Sequence, residues 1–308
     1  MKQRFIILCL AVLWAGQSAA FELRVQKVDD GIYALVGDIG PRNEQNHGLN
    51  NTLGFIIGNE EVTLVGSGAT PEGARLIESA VAGVTDKPIR RVITIGVQDH
   101  HWMGNSYFIE QDIDVIALAY TVKDQQDNYQ DQLVRLGAAI GAEVDTVQVH
   151  GATKIFDAEK QLFTLDGVDY ELLWTGGAHF AGDAILWLPK RKTVFTGDLV
   201  FNDRLLGVQP YSEVANWQKA FQRMADLQPQ HVIPGHGFPG DLAKAQRDTG
   251  DYLDWLMLEV GKAIEDWAPI DETVDNLEDA PQFKHLEFFD AWHRRNINRT
   301  YLELESAQ

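Results

Sequence analysis

Apolar and polar positions in this 308-residue chain alternate in short runs before settling into helical spacing. Strands are predicted over residues 23–28, 31–36, 53–57 and 62–65, with Gly58-Asn59 a hairpin signal between the last two. Pro71 then stands at a helix N-terminus, and Ala74, Leu76, Ile77, Ala80 and Val81 follow at helical spacing. Strands at 91–95 and 114–117 and a polar helix over 121–141 complete the first half. The second half repeats this grammar. Strands at 154–156, 161–165, 170–174, 184–188 and 193–196 lead to a helix over 213–227 with Trp217, Phe221 and Met224 on one face. A short strand at 231–233 and a mostly helical tail, 240–305, follow. Strands first, then strand and helix in alternation, twice over, predict an α/β fold, an αββα sandwich of two mixed sheets with helices outside. Functional loops would gather along one edge of the strands. No repeat, low-complexity tract or linker divides the chain, so residues 21–308 read as one domain, with 240–308 as its helical C-terminal part.

The first 20 residues have a separate pattern. Lys2 and Arg4 precede an apolar core over 5–15, and Ser18-Ala19-Ala20 offers a small-residue cleavage site. That is the pattern of a signal peptide cleaved after Ala20, which implies a periplasmic or secreted protein. The apolar run is shorter than the roughly 20 residues of a spanning helix, and no later segment is long and apolar enough. The one cysteine, Cys9, lies in this leader, so any metal site of the mature chain must use nitrogen and oxygen ligands. The net charge is −19, and −21 once Lys2 and Arg4 are removed. Such acidity argues against nucleic acid and anionic membrane as partners and says little about substrate, for which a small molecule is expected. Oligomeric state is not legible in this pattern.

Five side chains stand out as ligand types at predicted strand ends: His100, His101, His179, Asp198 and His236. The strand at 91–95 runs into Gly96-Val97-Gln98-Asp99-His100-His101-Trp102-Met103-Gly104-Asn105. His179 lies in Gly176-Gly177-Ala178-His179-Phe180-Ala181-Gly182-Asp183, Asp198 in Thr196-Gly197-Asp198-Leu199, and His236 in Pro234-Gly235-His236-Gly237. Neighbouring glycines permit the tight turns that aim a side chain inward. Imidazole and carboxylate are what zinc accepts when no thiolate is present. One such loop alone would mean little; four together point to a metal centre. His47, His150, His231, His285 and His293 lack this context and read as ordinary polar residues.

On these loops the chain resembles the metallo-β-lactamase superfamily over nearly its whole mature length. Asn51 to Ile57 resembles the family's early strand. The segment 176–183 resembles its Gly-His-Thr-x-Gly-Asp, Thr196-Gly197-Asp198 its Gly-Asp segment, and Pro234-Gly235-His236-Gly237 its final histidine loop. Trp102-Met103-Gly104-Asn105 and the tail from His293 to Glu303 look closest to a periplasmic subgroup, the SoxH-like, quinoprotein-associated metallohydrolases.

The resemblance also exposes departures. Anchored on Gly104-Asn105, the family's His-x-His-x-Asp-His places Gly96 at the first histidine, Gln98 at the second, His100 at the aspartate and His101 at the last histidine. The early Val-Asp-x-Gly reads Val65-Gly66-Ser67-Gly68. In the family the leading histidines and the equivalent of His179 serve a first metal, so that site is expected to be weak or absent. The second site falls on His100, His101, Asp198 and His236, with His179 as a further ligand or donor. This implies at most one divalent ion, zinc first and iron or manganese next. The family's aspartate also orients the attacking water, a role that would pass to His100 beside Asp198. Two readings follow: a periplasmic hydrolase using one metal against an ester, thioester, lactam or lactone-type bond, or a catalytically inactive protein on the same fold that binds a small molecule or periplasmic redox partner. Residues 38–51 and 202–211 are expected to frame the pocket, with Trp102, Phe180 and Tyr211 either lining it or serving as packing residues.

Overall fold

The computed structural model describes residues 21–141 and 149–307; the expected leader, residues 1–20, lies outside the described residues. The first sheet contains β1 (Arg24–Asp29), β2 (Ile32–Val36), β3 (Thr52–Ile57), β4 (Val62–Val65), β5 (Ile89–Ile93), β6 (Asp114–Leu118) and β7 (Lys154–Phe156), side by side in chain order. Its first three pairings are antiparallel and its last three parallel. The switch comes where helices enter the connections, because a parallel neighbour is reached only by a crossover. These are α1 (Pro71–Ala82), then α2 (Asp99–Trp102) with α3 (Asn105–Ile109), then α4 (Ala119–Ile140). Thr70 caps α1, accepting from the Gly73 N–H, and Pro71 opens its first turn.

The second sheet contains β8 (Lys160–Leu165), β9 (Val168–Trp174), β10 (Ala184–Leu188), β11 (Thr193–Phe195) and β12 (His231–Ile233). All its pairings are antiparallel except that of β12 with β11, which α5 (Val214–Ala225) separates. The tail forms α6 (Leu242–Ala245), a π turn over Gln246–Gly250, α7 (Asp251–Glu265), α8 (Ile270–Asn276) and α9 (Phe289–Ser306).

Side chains alternate along each strand, so one strand feeds two cores. Ala34, Val36 and Ile56 face Leu186, Leu188 and Phe195 between the sheets. Leu35 and Phe55 turn the other way, onto Ile77 and Val81 of α1. Ile185 and Trp187 pack outward against the layer that holds Trp217, Phe221, Leu256 and Ile297. Strands buried on both faces read as continuous apolar runs, as in Ala184–Leu188, whereas the edge strand β8 alternates exposed and half-buried positions. The predicted αββα sandwich of two mixed sheets is the fold observed.

One boundary differs in a way that matters. The strand expected over 91–95 ends at Ile93. The Ile95 carbonyl leaves the first sheet and accepts from the Ala184 N–H of β10 at 2.8 Å. Thr52 of β3 likewise bonds across to the second sheet's last loop, through its N–H to the Gly235 carbonyl and its hydroxyl to that of Gly237, both at 2.6 Å. The candidate ligands lie along this seam.

Trp217 is fully buried behind it, its indole N–H donating to the Leu199 carbonyl at 2.9 Å. Trp217→Ala is expected to lower unfolding free energy by about 3–5 kcal/mol, measured by urea denaturation with metal content recorded alongside.

Candidate metal centre

The loop after β5 is held by side chains rather than by a ladder. Gln125 of α4 donates to the Gly96 carbonyl at 2.9 Å, and Trp102 donates to the Val97 carbonyl at 2.8 Å. The Val97 N–H donates to Asp183 at 3.0 Å, and the other oxygen of that carboxylate accepts from the Phe180 N–H at 2.7 Å. Asp183 is therefore a buried strap between two loops; burial, with the nearby charge of Asp198, raises its pKa. The next turn is helical from Asp99, which rotates the adjacent His100 and His101 by about 100° from one another. Asn51 fixes the His100 carbonyl at 3.1 Å, and the Ser67 N–H that of His101 at 2.9 Å.

Asp198 sits on the turn Gly197–Leu199 after β11, with Gly197 in the left-handed region at φ 51°. Gly235 backs it closely. A Cβ there would meet Asp198 Oδ1 at 2.5 Å. Three imidazoles converge on this fully buried carboxylate: His101 Nε2 at 3.0 Å from Oδ1, His100 Nε2 at 3.3 Å from Oδ2, and His236 Nε2 at 3.4 Å from Oδ1. Burial disfavours the charge of Asp198, but His101, His100 and His236 outweigh it and hold its pKa well below the carboxylate range. Burial lowers the pKa of His100. Burial, with Arg204 second, lowers that of His236 strongly. His101 is the exception: burial opposes protonation, and the charge of Asp198 overcomes it and raises the pKa.

His100, Asp198 and His236 form the cluster able to hold an ion, with one ligand atom from each, all within 4.8 Å of one another and all buried. Two imidazoles and a carboxylate suit a divalent metal ion. His101 touches the same carboxylate but lies outside that trio. Its ring lies against Gly96, where a Cβ would come within 2.4 Å of Cδ2 and 2.5 Å of Cγ. His101 thus fills the space beside the position where the resemblance expects a leading histidine.

His179 is set apart among the rings of Phe180, Phe201, Tyr211 and Trp217, with centroids 5.3–6.1 Å away. Burial lowers its pKa to about 4. Its contact with the candidate centre is through a cavity of about 220 Å³ that His179 lines together with His100, His236 and Gln98. Pro41, Arg42 and Asn50 from one expected framing loop, and Arg204, Gly207 and Gln209 from the other, complete much of the wall. Of the two roles open to the three aromatics, packing is the one observed. Trp102, Phe180 and Tyr211 are outside the wall; Phe201, Phe288 and Trp292 supply it. Trp102 is spent on the Val97 carbonyl, and Phe180 and Tyr211 stack on each other at 4.2 Å.

Asp99 pairs with Arg42 of the 38–51 loop, and the same carboxylate oxygen lies 3.8 Å from His100 Nδ1. On the far side of His236, Nδ1 faces the Asn50 carbonyl at 2.8 Å and Arg204 Nη1 at 3.2 Å. Donation from Nδ1 to Asn50 leaves Nε2 bare, the tautomer a metal requires. Nothing in the spacing of Arg204, Phe288 and Trp292 along the chain marked them. Of the histidines given an ordinary reading, His150 bonds Ser106 Oγ at 2.9 Å, and His293 bonds the Tyr252 hydroxyl at 2.9 Å and the Leu277 carbonyl at 3.0 Å.

Residues 102–236 match the family model of the metallo-β-lactamase superfamily. A type 2 metallo-β-lactamase of Bacteroides fragilis is 25% identical over 248 residues, covering 77% of this chain and 90% of that protein. Among solved structures, a metallo-β-lactamase from Pontibacter korlensis superposes with a TM-score of 0.59 at 19% identity, over 76% of this chain and 99% of its own. A stereoselective inverting sec-alkylsulfatase from Pseudomonas sp. superposes at 0.69 and 15% identity, over 91% of this chain and 50% of its own. These structural likenesses show the fold.

The packing of His101 on Gly96 gives a direct test. Gly96→Ala forces a Cβ into the ring and is expected to lower stability by about 1–3 kcal/mol, read from the urea midpoint. An unchanged midpoint would mean that the ring gives way without cost.

Proposed function

We propose that this metallo-β-lactamase superfamily domain is a metal-dependent hydrolase, exported to the periplasm, that uses one divalent ion, zinc first, against an ester, thioester, lactam or lactone-type bond. The observation that carries the reading is the buried trio of His100, Asp198 and His236, its ligand atoms within 4.8 Å of one another, on the wall of a cavity. An ion bound there supplies Lewis-acid activation of water and of the scissile bond. The protein's own groups do the rest. Asp198 holds His100 and His101 by hydrogen bonds, and the Asn50 carbonyl orients His236. Burial favours the neutral form of His100, which is the form that can hold an ion beside Asp198. His179, also kept neutral, faces the cavity as a donor or acceptor to a bound substrate.

A second reading, a binding protein without catalysis, is favoured by one observation. His101 packs on Gly96, and Gln98 stands at the second leading-histidine position, so this loop offers no pair of leading imidazoles. Metal content separates the two. Mature protein is expected to hold about one equivalent of transition metal by elemental analysis. Asp198→Ala and His236→Ala should abolish that binding, while Gln98→Ala leaves it nearly intact. A metal-free protein whose melting temperature ignores zinc, iron and manganese would sink the hydrolase reading. Loss of metal in Gln98→Ala alone would show that the first site survives in altered form.

A further inference from the structure

The two imidazoles of the trio differ on their outer sides. His236 has Nδ1 on the Asn50 carbonyl at 2.8 Å, which leaves Nε2 for an ion. His100 also aims Nε2 at the centre, 3.3 Å from Asp198 Oδ2, but its buried Nδ1 has no hydrogen-bond partner. A neutral imidazole that ligates through Nε2 carries its proton on Nδ1. A buried N–H left without an acceptor is costly.

A carboxylate stands beside that nitrogen. Asp99 is 1% exposed, and its Oδ1 lies 3.8 Å from His100 Nδ1. Its Oδ2 is a second buried atom without a partner. Two unsatisfied groups of complementary type thus sit side by side, and the gap needs to close by about 1 Å to become a hydrogen bond. Other contacts restrict how the two can move. Arg42 anchors Asp99 from the 38–51 loop. The rings of His101 and His236 meet His100 edge to face, with centroids 4.7 and 5.0 Å away.

We propose that Asp99 is a positioning residue, which accepts the Nδ1 proton of His100 when that ring holds an ion through Nε2. The bond would fix the tautomer and orientation of His100 and make Nε2 more basic. It also bears on the charge of the site. Where the resemblance expects an aspartate, position 100 carries a neutral imidazole, and Asp99 returns part of the missing negative charge through that ring. Both residues lie ahead of the 102–236 match. The role deepens the metal-dependent reading and rests on it, since Asp99 acts only through an ion-holding His100.

The test uses the mature chain loaded with zinc. Affinity is taken from chelator competition. The protonated nitrogen of His100 is read from long-range proton–nitrogen NMR correlations of histidine-labelled protein, with the signal assigned by its loss in His100→Gln. Wild type is expected to carry the proton on Nδ1. Asp99→Asn keeps the size and removes the charge, and should weaken zinc affinity by about tenfold; Asp99→Ala removes the acceptor and should weaken it by up to about a hundredfold. Arg42→Gln breaks the same ion pair but leaves the acceptor, and should cost less than either. If circular dichroism finds Asp99→Ala unfolded, the wild-type NMR signal and Asp99→Asn carry the comparison. A His100 proton on Nε2 in zinc-loaded protein overturns the proposal. So does unchanged zinc affinity in the Asp99 variants. So does an equal loss in Arg42→Gln and Asp99→Asn, since the ion pair rather than the acceptor would then be what counts. Each of these three results leaves the hydrolase reading standing. Wild type that takes up no zinc, iron or manganese overturns both. Zinc held with Nδ1 protonated and sensitive to Asp99, in a protein that hydrolyses no ester, thioester, lactam or lactone, keeps this proposal while the hydrolase reading fails.

Discussion

The structure depends on one carboxylate. Asp198 is wholly buried, and an isolated charge at that depth would be untenable without compensation. Compensation comes from three imidazoles delivered by two different loops, His100 and His101 from the turn after β5 and His236 from the turn after β12. Local features around it follow from this need. Gly235 is bare because the Asp198 carboxylate occupies the space a Cβ would take, and Gly197 turns left-handed to present the side chain. A divalent ion among the same groups would meet the same electrostatic demand with a stronger charge.

The two sheets meet where that demand is greatest. Ile95 bonds to Ala184, Thr52 to Gly235 and Gly237, and Asp183 to both Val97 and Phe180. All but the Asp183–Phe180 bond, which ties Asp183 within its own loop, cross from one sheet or its loops to the other. Across the outside, Thr121 of α4 donates to the Gly182 carbonyl at 2.7 Å, and Asp124 accepts from the Gly182 N–H at 2.7 Å. On the far side the π turn contributes Thr249, whose hydroxyl serves both the N–H and the carbonyl of Phe201, at 2.9 and 2.6 Å. Phe201 in turn stacks on His236 at 4.6 Å. The rigidity of the centre is thus drawn from elements more than 40 residues away in the chain.

Much of this was legible in the sequence. Short β-rich runs located the strands to within about two residues, because a strand that feeds two apolar layers at once is apolar along its length. Ligand-type residues among glycines marked the loops that converge. The separate fates of His100 and His101 were not legible, since they depend on a single helical turn that puts neighbours on different faces. Nor was the tail's share of the cavity. Trp292 reaches Arg204 across 88 residues of chain, and only packing in three dimensions brings them together. Whether Phe180 and Tyr211 line a pocket or pack was open in the sequence; they stack on each other.

Gly96 also limits what this loop can accept. The space beside it is filled by the His101 ring, so the two positions constrain each other. A histidine at 96 on its own would drive one imidazole into another. Withdrawing His101 instead would strip Asp198 of its nearest imidazole partner. Positions 96, 101 and 198 therefore form one interlocked unit, in which a side chain added at the first is felt at the last.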